Sequence, residues 1–136
     1  MNDLPNVYGN AGVMVKYDNK LLVVKDIIGK WNVPSGKPLP GETAHQTATR
    51  ETLEETGIKV KPIKLLKNFW NEFYLYEAVI DDPNFIFSTS YTVPPDSIDE
   101  ISEVKFLPIY ELTDDNVRFP VVLGAIKNIF DEIDNL

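Results

Sequence analysis

The chain of 136 residues contains no cysteine and a single histidine. Disulfide bonds, thiolate metal sites and a cysteine nucleophile are therefore excluded. No apolar run approaches the roughly 20 residues that a membrane-spanning helix needs. The opening letters MNDLPNV offer neither the basic region nor the apolar stretch of a secretory signal. We therefore expect a cytoplasmic protein without a membrane partner, in which residues 1–136 form a single domain.

Positive charge is also scarce. The sequence has 21 acidic and 13 basic residues, which gives a net charge of −8. Residues 95–136 carry ten acidic side chains and only three basic ones. An acidic surface repels the phosphate backbone of nucleic acids, so tight non-specific binding to them is disfavoured. A small anionic substrate is compatible with this charge if cations bridge it to the protein.

The pattern of apolar and turn-forming residues predicts strands, a helix, more strands and a final helix. The segments AGVMVKY and LLVVKDI, joined at Asp18–Asn19, are typical of a β-hairpin. After the loop PSGKPLPGE, Thr43 and Gln46 form the capping box that begins a helix, and Gly57 ends it. The segments IKVKPIKLLKNF, EFYLYEAVI and EVKFL follow as strands, and Pro120 begins the last helix. This order predicts a mixed sheet flanked by helices.

Three glutamates crowd one face of the first helix. Glu51, Glu54 and Glu55 fall within an arc of about 100° at helical spacing. Like charges at that spacing cost about 0.2–0.5 kcal/mol per pair. Arg50 can pair with Glu54 but offsets the repulsion only in part, and Glu42 brings a fourth carboxylate to the start of the helix. Divalent cations such as Mg²⁺ prefer oxygen ligands, so the cluster predicts a metal site.

Residues 36–58, GKPLPGETAHQTATRETLEETGI, resemble the Nudix box of the Nudix hydrolase family. Eight positions of the family pattern fall in register: Gly36, Glu42, Arg50, Glu51, Glu54, Glu55, Gly57 and Ile58. Two positions depart from the pattern. Thr52 stands where an aliphatic residue is usual, and Ser35 stands where the family often has glycine. Neither change removes a ligand oxygen, because serine keeps the backbone carbonyl that often contacts the metal in this family.

The resemblance implies an α/β fold, the Nudix-type α/β/α sandwich with a mixed β-sheet between helices. It also implies hydrolysis, dependent on Mg²⁺ with Mn²⁺ as a substitute, of a nucleoside diphosphate linked to another group. The products would be a nucleoside monophosphate and the phosphorylated remainder. The residues it implies as metal contacts are Glu51, Glu54 and Glu55, with Glu42 as an outer or second-metal ligand and the backbone of Ser35 and Gly36 beside them. Arg50 is expected to orient the glutamates.

The group that takes the proton of the attacking water stays open at this point. In many relatives it is an acidic residue in the loop before a late strand. The segment DSIDEISEVKFL offers Glu100 and Glu103, and Glu100 matches the usual offset from the aromatic position, here Phe106. A glutamate of the box, such as Glu54, is the alternative base.

Three functions are compatible with these residues. The first is hydrolysis of free nucleotides, namely nucleoside tri- or diphosphates or dinucleoside polyphosphates. The second is removal of pyrophosphate from RNA 5′ ends, which the acidic C-terminal third disfavours. The third is a nucleotide-binding module that keeps the fold without turnover. The exact substrate, the number of metal ions and the choice between monomer and homodimer are not determined by the sequence.

Overall fold

The computed structural model describes residues 4–133. Within them, the strands and α-helices follow in the order β1 Asn10–Met14, β2 Lys16–Tyr17, β3 Lys20–Asp26, β4 Trp31–Asn32, β5 Ser35–Gly36, α1 Ala44–Thr56, β6 Val60–Phe69, β7 Phe73–Ile80, β8 Ser90–Tyr91, β9 Ile101–Pro108 and α2 Pro120–Ile129. The first sheet has the order β5-β1-β7-β6 and is mixed, because β1 and β7 run parallel. The second sheet has the order β2-β3-β9-β8, with β4 added to β3, and its pairs are antiparallel.

Helices pack on both faces of the layer that the two sheets form. On one face, Ala44 and Ala48 of α1 pack in a cluster with Tyr74 and Tyr76 of β7. On the other face, Leu75 of β7 belongs to a second cluster that includes side chains of α2. Successive side chains of a strand point to opposite faces, so β7 supplies both cores. The predicted α/β/α sandwich is therefore confirmed.

The local signals of the sequence act as expected. The Thr43 hydroxyl accepts the Gln46 N–H at 3.4 Å and the Thr43 N–H donates to the Gln46 side chain at 2.9 Å, which completes the capping box. Gly57 ends the helix at φ 74°. The turn at Asp18–Asn19 joins β2 to β3, both residues having positive φ. Strand β1, predicted as part of that hairpin, pairs instead with β5 and β7 in the other sheet.

Among the described residues, no helix combines the length and the apolar character that crossing a bilayer requires.

Candidate metal and active site

Arg50 lies at the centre of the glutamate cluster. Its Nη1 donates to Glu51 Oε1 at 2.8 Å and to Glu54 Oε2 at 3.1 Å. Its Nε donates to Glu42 Oε2 at 2.8 Å, and its Nη2 donates to the Lys37 carbonyl at 2.8 Å. One guanidinium therefore binds three carboxylates and the loop in front of α1. The helical spacing predicted only the contact with Glu54, because the contact with Glu42 requires the loop to fold back onto the helix.

Glu42 attaches that loop to the helix. Its carboxylate accepts hydrogen bonds from the Arg50 Nε and Nη2, from the Thr47 hydroxyl at 2.7 Å and from the Leu39 N–H at 3.0 Å. The hydrogen bond from Arg50, assisted by those from Leu39 and Thr47, lowers the pKa of Glu42 to about 2. These contacts orient Arg50 toward the other glutamates. The expected role of Glu42 as an outer or second-metal ligand stays a prediction.

Glu55 is the most deeply buried acid of the cluster, with 8% of its surface exposed. Burial, together with the nearby charges of Glu51, Glu100 and Glu54, raises its pKa to about 8, although the N–H of Ser35, which donates to Oε1 at 3.0 Å, acts in the opposite direction. Burial also raises the pKa of Glu51, against the effect of Arg50. The site therefore disfavours the ionised forms of Glu51 and Glu55 unless a cation lies beside them, and without such a cation the carboxyl groups hold their protons more tightly.

Gly36 is required by the position of Glu51. A Cβ atom built on Gly36 would overlap the carboxyl group of Glu51. The glycine of the box therefore provides space for the Glu51 carboxylate directly against the backbone of β5. This is a spatial requirement, because the two residues are 15 positions apart in the chain.

The structure separates the two loop acids that the sequence offers as the base. Glu100 lines the same cleft as Glu51 and Glu55, and its charge contributes to the raised pKa of both. Its loop is tied to α1 by the Ser97 hydroxyl, which donates to the Glu54 carbonyl at 2.7 Å. Glu100 is thereby brought to the glutamate cluster from a distant part of the chain.

Glu103 belongs to a different environment. It lies on β9 opposite Lys25 of β3, and its carboxylate pairs with Lys25 at 3.2 Å and with Lys105 at 3.1 Å. The hydrogen bond from Lys105, together with Lys25, lowers the pKa of Glu103. Glu103 is not among the residues that line the cleft.

The oxygen donors of the cluster are of the type that a divalent cation binds. The carboxylates of Glu51 and Glu55 line one cleft together with Ser35 and Gly36. Within residues 4–133, no three acidic or histidine side chains already converge in the arrangement of a metal site, and Arg50 occupies the position between Glu51 and Glu54. Carboxylate and carbonyl oxygens fit a hard ion such as Mg²⁺.

The cleft is open and has a volume of about 970 Å³. Its lining also includes Trp70, Arg118 and Phe119, which the sequence analysis did not select. Trp70 follows the last residue of β6, at a position where a two-residue hairpin usually has asparagine or glycine. That mismatch was the available sequence signal for Trp70. No motif marks Arg118 and Phe119, because their place at the cleft depends on how the segment before α2 packs.

The fold and the cluster define a protein of the Nudix class. The sequence model of the family described as "NUDIX domain" matches residues 8–123. The chain therefore belongs to the Nudix family. Nudix hydrolases generally use divalent metal ions. The resemblance identified from the box is confirmed over most of the chain.

Individual relatives differ in what their names say they act on. The chain is 33% identical over 100 residues to the oxidized purine nucleoside triphosphate hydrolase of Danio rerio, an overlap covering 70% of this chain and 64% of that protein. It is 37% identical over 87 residues to the RNA pyrophosphohydrolase of Rickettsia africae, covering 62% of this chain and 50% of that protein. The chain thus spans less than two thirds of the length of these relatives.

Among solved structures, the fold resembles that of a NUDIX hydrolase from Nitrosomonas europaea. The TM-score is 0.70, the alignment covers 95% of this chain and 92% of the other, and the sequence identity is 23%. At this identity the similarity concerns the fold.

Proposed function

We propose that this chain is an Mg²⁺-dependent Nudix pyrophosphohydrolase. It cleaves a nucleoside diphosphate linked to another group, such as a nucleoside tri- or diphosphate or a dinucleoside polyphosphate. The products are a nucleoside monophosphate and the phosphorylated remainder. The observation that carries the proposal is that Glu51, Glu55 and Glu100 line one cleft, where burial raises the pKa of Glu51 and Glu55. Such acids accept a divalent cation in place of a proton.

The proposed roles of the residues rest on the match to the Nudix box and on their contacts. Glu51, Glu54 and Glu55 would hold Mg²⁺, with Mn²⁺ as a substitute, and the backbone of Ser35 and Gly36 would lie beside the ion. A bound divalent ion neutralises charge on the phosphate oxygens and lowers the pKa of water. Arg50 positions Glu51 and Glu54 through its Nη1. The hydrogen bonds of Glu42 favour anchoring of Arg50 over direct metal binding.

Glu100 is the proposed general base. A water molecule attacks phosphorus, its proton passes to Glu100, and the bond from that phosphorus to the bridging oxygen breaks, so that the leaving group departs as a phosphate. The position of Glu100 in the cleft supports it over Glu103, whose carboxylate is paired with two lysines. A box glutamate such as Glu54 is the alternative base.

Removal of pyrophosphate from RNA 5′ ends is the second candidate. It is favoured by the similarity to the relative named RNA pyrophosphohydrolase. The acidic C-terminal third of the chain opposes it, because the ten acidic residues of positions 95–136 make this part of the chain repel an RNA backbone. A cytoplasmic location and a monomeric or homodimeric state complete the proposal as expectations from the sequence.

The test is a nucleotide panel with Mg²⁺, in which release of a monophosphate is measured for the wild type and for Glu54→Gln. We expect the variant to lose turnover while it stays folded, because the side chain of Glu54 is 53% exposed. The matched control is Glu103→Gln, which changes an acid outside the cleft and should keep turnover. Wild-type rates in Glu54→Gln would refute the metal assignment. Cleavage of 5′-triphosphate RNA alone would favour the RNA reaction, and binding without cleavage would favour the non-catalytic module.

A further inference from the structure

Trp70 occupies an unfavourable position in the hairpin between β6 and β7. The turn runs from Phe69 to Glu72, whose N–H donates to the Phe69 carbonyl at 2.9 Å. Its two central residues, Trp70 and Asn71, have φ values of 57° and 58°. This left-handed conformation is costly for a bulky side chain, and such turns favour asparagine, aspartate or glycine. The equivalent turn at Asp18–Asn19 has those favoured residues.

Core packing does not explain the tryptophan. Trp70 is 73% exposed, and the ring contact recorded for it is with Phe69, at 6.1 Å between centroids and 52° between planes. Phe69 itself is buried in the cluster that packs against α2. The indole is therefore supported on one side by the core, while most of its surface faces outward. A strained and exposed aromatic residue of this kind is a candidate for ligand contact.

The location of the turn indicates which ligand. Trp70 lines the same cleft as Glu51 and Glu55. Phe119 also lines this cleft and is 48% exposed, and the guanidinium of Arg118 lies 5.3 Å from its ring centroid. The segment that carries them is held to β4, since the Arg118 N–H donates to the Trp31 carbonyl at 2.9 Å. The cleft is therefore lined by carboxylates and also by exposed aromatic rings.

We propose that Trp70, with Phe119, is the platform on which the base of the nucleotide stacks while its phosphates lie at the glutamates. This inference rests on the proposed function for the occupant of the cleft. Aromatic side chains bind any nucleobase through its π-face, and stacking contributes about 5- to 150-fold to affinity per base. The cost of the left-handed turn is thereby offset when the nucleotide binds. Trp70 is a substrate-binding residue in this scheme and takes no part in bond breaking.

The first experiment measures binding of AMP and GMP, with ribose 5-phosphate as the probe that lacks a base. The chain has two tryptophans, and Trp31 is only 9% exposed. We therefore expect AMP and GMP to quench the emission of Trp70, whereas ribose 5-phosphate leaves it unchanged. In Trp70→Ala, calorimetry should show AMP binding weakened by about tenfold. Trp70→Phe should retain most of the affinity and lose the fluorescence signal.

The second measurement separates a binding role from a structural one. Trp70→Gly removes the indole and also relieves the left-handed strain, so we expect its Tm to rise while AMP binding falls by about tenfold. A structural role predicts a lower Tm. The matched control is Tyr110→Ala, because Tyr110 is 78% exposed and is not among the residues that line the cleft. It should leave both properties unchanged.

Failure of this inference is distinguishable from failure of the proposed function. Wild-type AMP affinity in Trp70→Ala, or equal weakening of AMP and ribose 5-phosphate, overturns the stacking platform even if the enzyme hydrolyses nucleotides. AMP quenching of Trp70 in a protein that cleaves no nucleotide overturns the proposed hydrolysis and supports the platform. For a nucleotide that is cleaved, we expect Trp70→Ala to raise KM about tenfold with kcat within about twofold.

Discussion

Replacing Glu55 with glutamine is expected to stabilise the metal-free protein at neutral and alkaline pH. Glu55 is 8% exposed, and the pKa of its carboxyl group is about 8 in the folded protein against an ordinary value of 4.5. Ionisation of this group in the folded state is therefore unfavourable. Glutamine has the same shape, can still accept the N–H of Ser35, and carries no charge at any pH.

The sign of the pH dependence follows from the raised pKa. The folded state binds the proton of Glu55 more tightly than the unfolded chain does. Below pH 4.5 Glu55 is protonated in both states, so its contribution to the free energy of unfolding does not change there. The protein loses stability as the pH rises from 4.5 toward 8. At 1.36 kcal/mol for each pKa unit, the loss approaches about 5 kcal/mol above pH 8 and is about 3 kcal/mol at pH 7. Glu55→Gln removes this loss.

The assay is urea unfolding with EDTA at pH 5 and at pH 8, for the wild type and for Glu55→Gln. Between pH 5 and pH 8, the free energy of unfolding of the wild type should fall by about 3 kcal/mol more than that of the variant. His45, whose pKa is lowered by burial, contributes equally to both proteins and cancels in the comparison. Glu103→Gln is the control, since the pKa of Glu103 is lowered and its exposed ion pairs contribute less than about 1 kcal/mol.

Magnesium should reverse the order of stability at pH 8. The wild type gains free energy of unfolding when the ion binds its folded state, whereas Glu55→Gln lacks a ligand and gains less. If the free energy of unfolding in EDTA changes with pH equally in the wild type and in Glu55→Gln, then burial does not disfavour ionisation of Glu55. That result would refute the burial argument. Equal stabilisation of both proteins by Mg²⁺ would remove Glu55 from the proposed ligands.

Two further substitutions test buried contacts. The Tyr76 hydroxyl is buried without a hydrogen-bond partner among the described residues, so Tyr76→Phe should unfold at the same or a higher urea concentration, with a gain of up to about 1 kcal/mol. A loss of that size would indicate that the hydroxyl has a partner in solution. Gly36→Ala should displace the Glu51 carboxyl, so we expect at least about a tenfold loss of Mg²⁺ affinity by titration with little change in Tm. Gly124→Ala in α2 is the control, because a Cβ atom there meets open space, and its Mg²⁺ affinity should equal that of the wild type.

Much of the site could be predicted from short stretches of sequence. The capping box of Thr43 and Gln46 and the glycine at Gly57 define the ends of α1, because each depends on partners within a few residues. With both ends determined, helical spacing places Glu51, Glu54 and Glu55 on one face. The order of strands and helices then predicted a mixed sheet flanked by helices, and the resemblance to the Nudix family implied the α/β/α sandwich.

The sequence by itself determined the helix that carries the box, the shared face of its glutamates and the family, because these properties depend on neighbouring residues and on one continuous motif. Only the tertiary structure decided that Glu100 reaches the cleft whereas Glu103 pairs with Lys25, since the register between β3 and β9 sets that choice. It also decided that Arg50 binds Glu42 through a loop that folds back, and that a strained Trp70 lies at the same cleft. Contacts between distant segments depend on packing, and no local pattern records them.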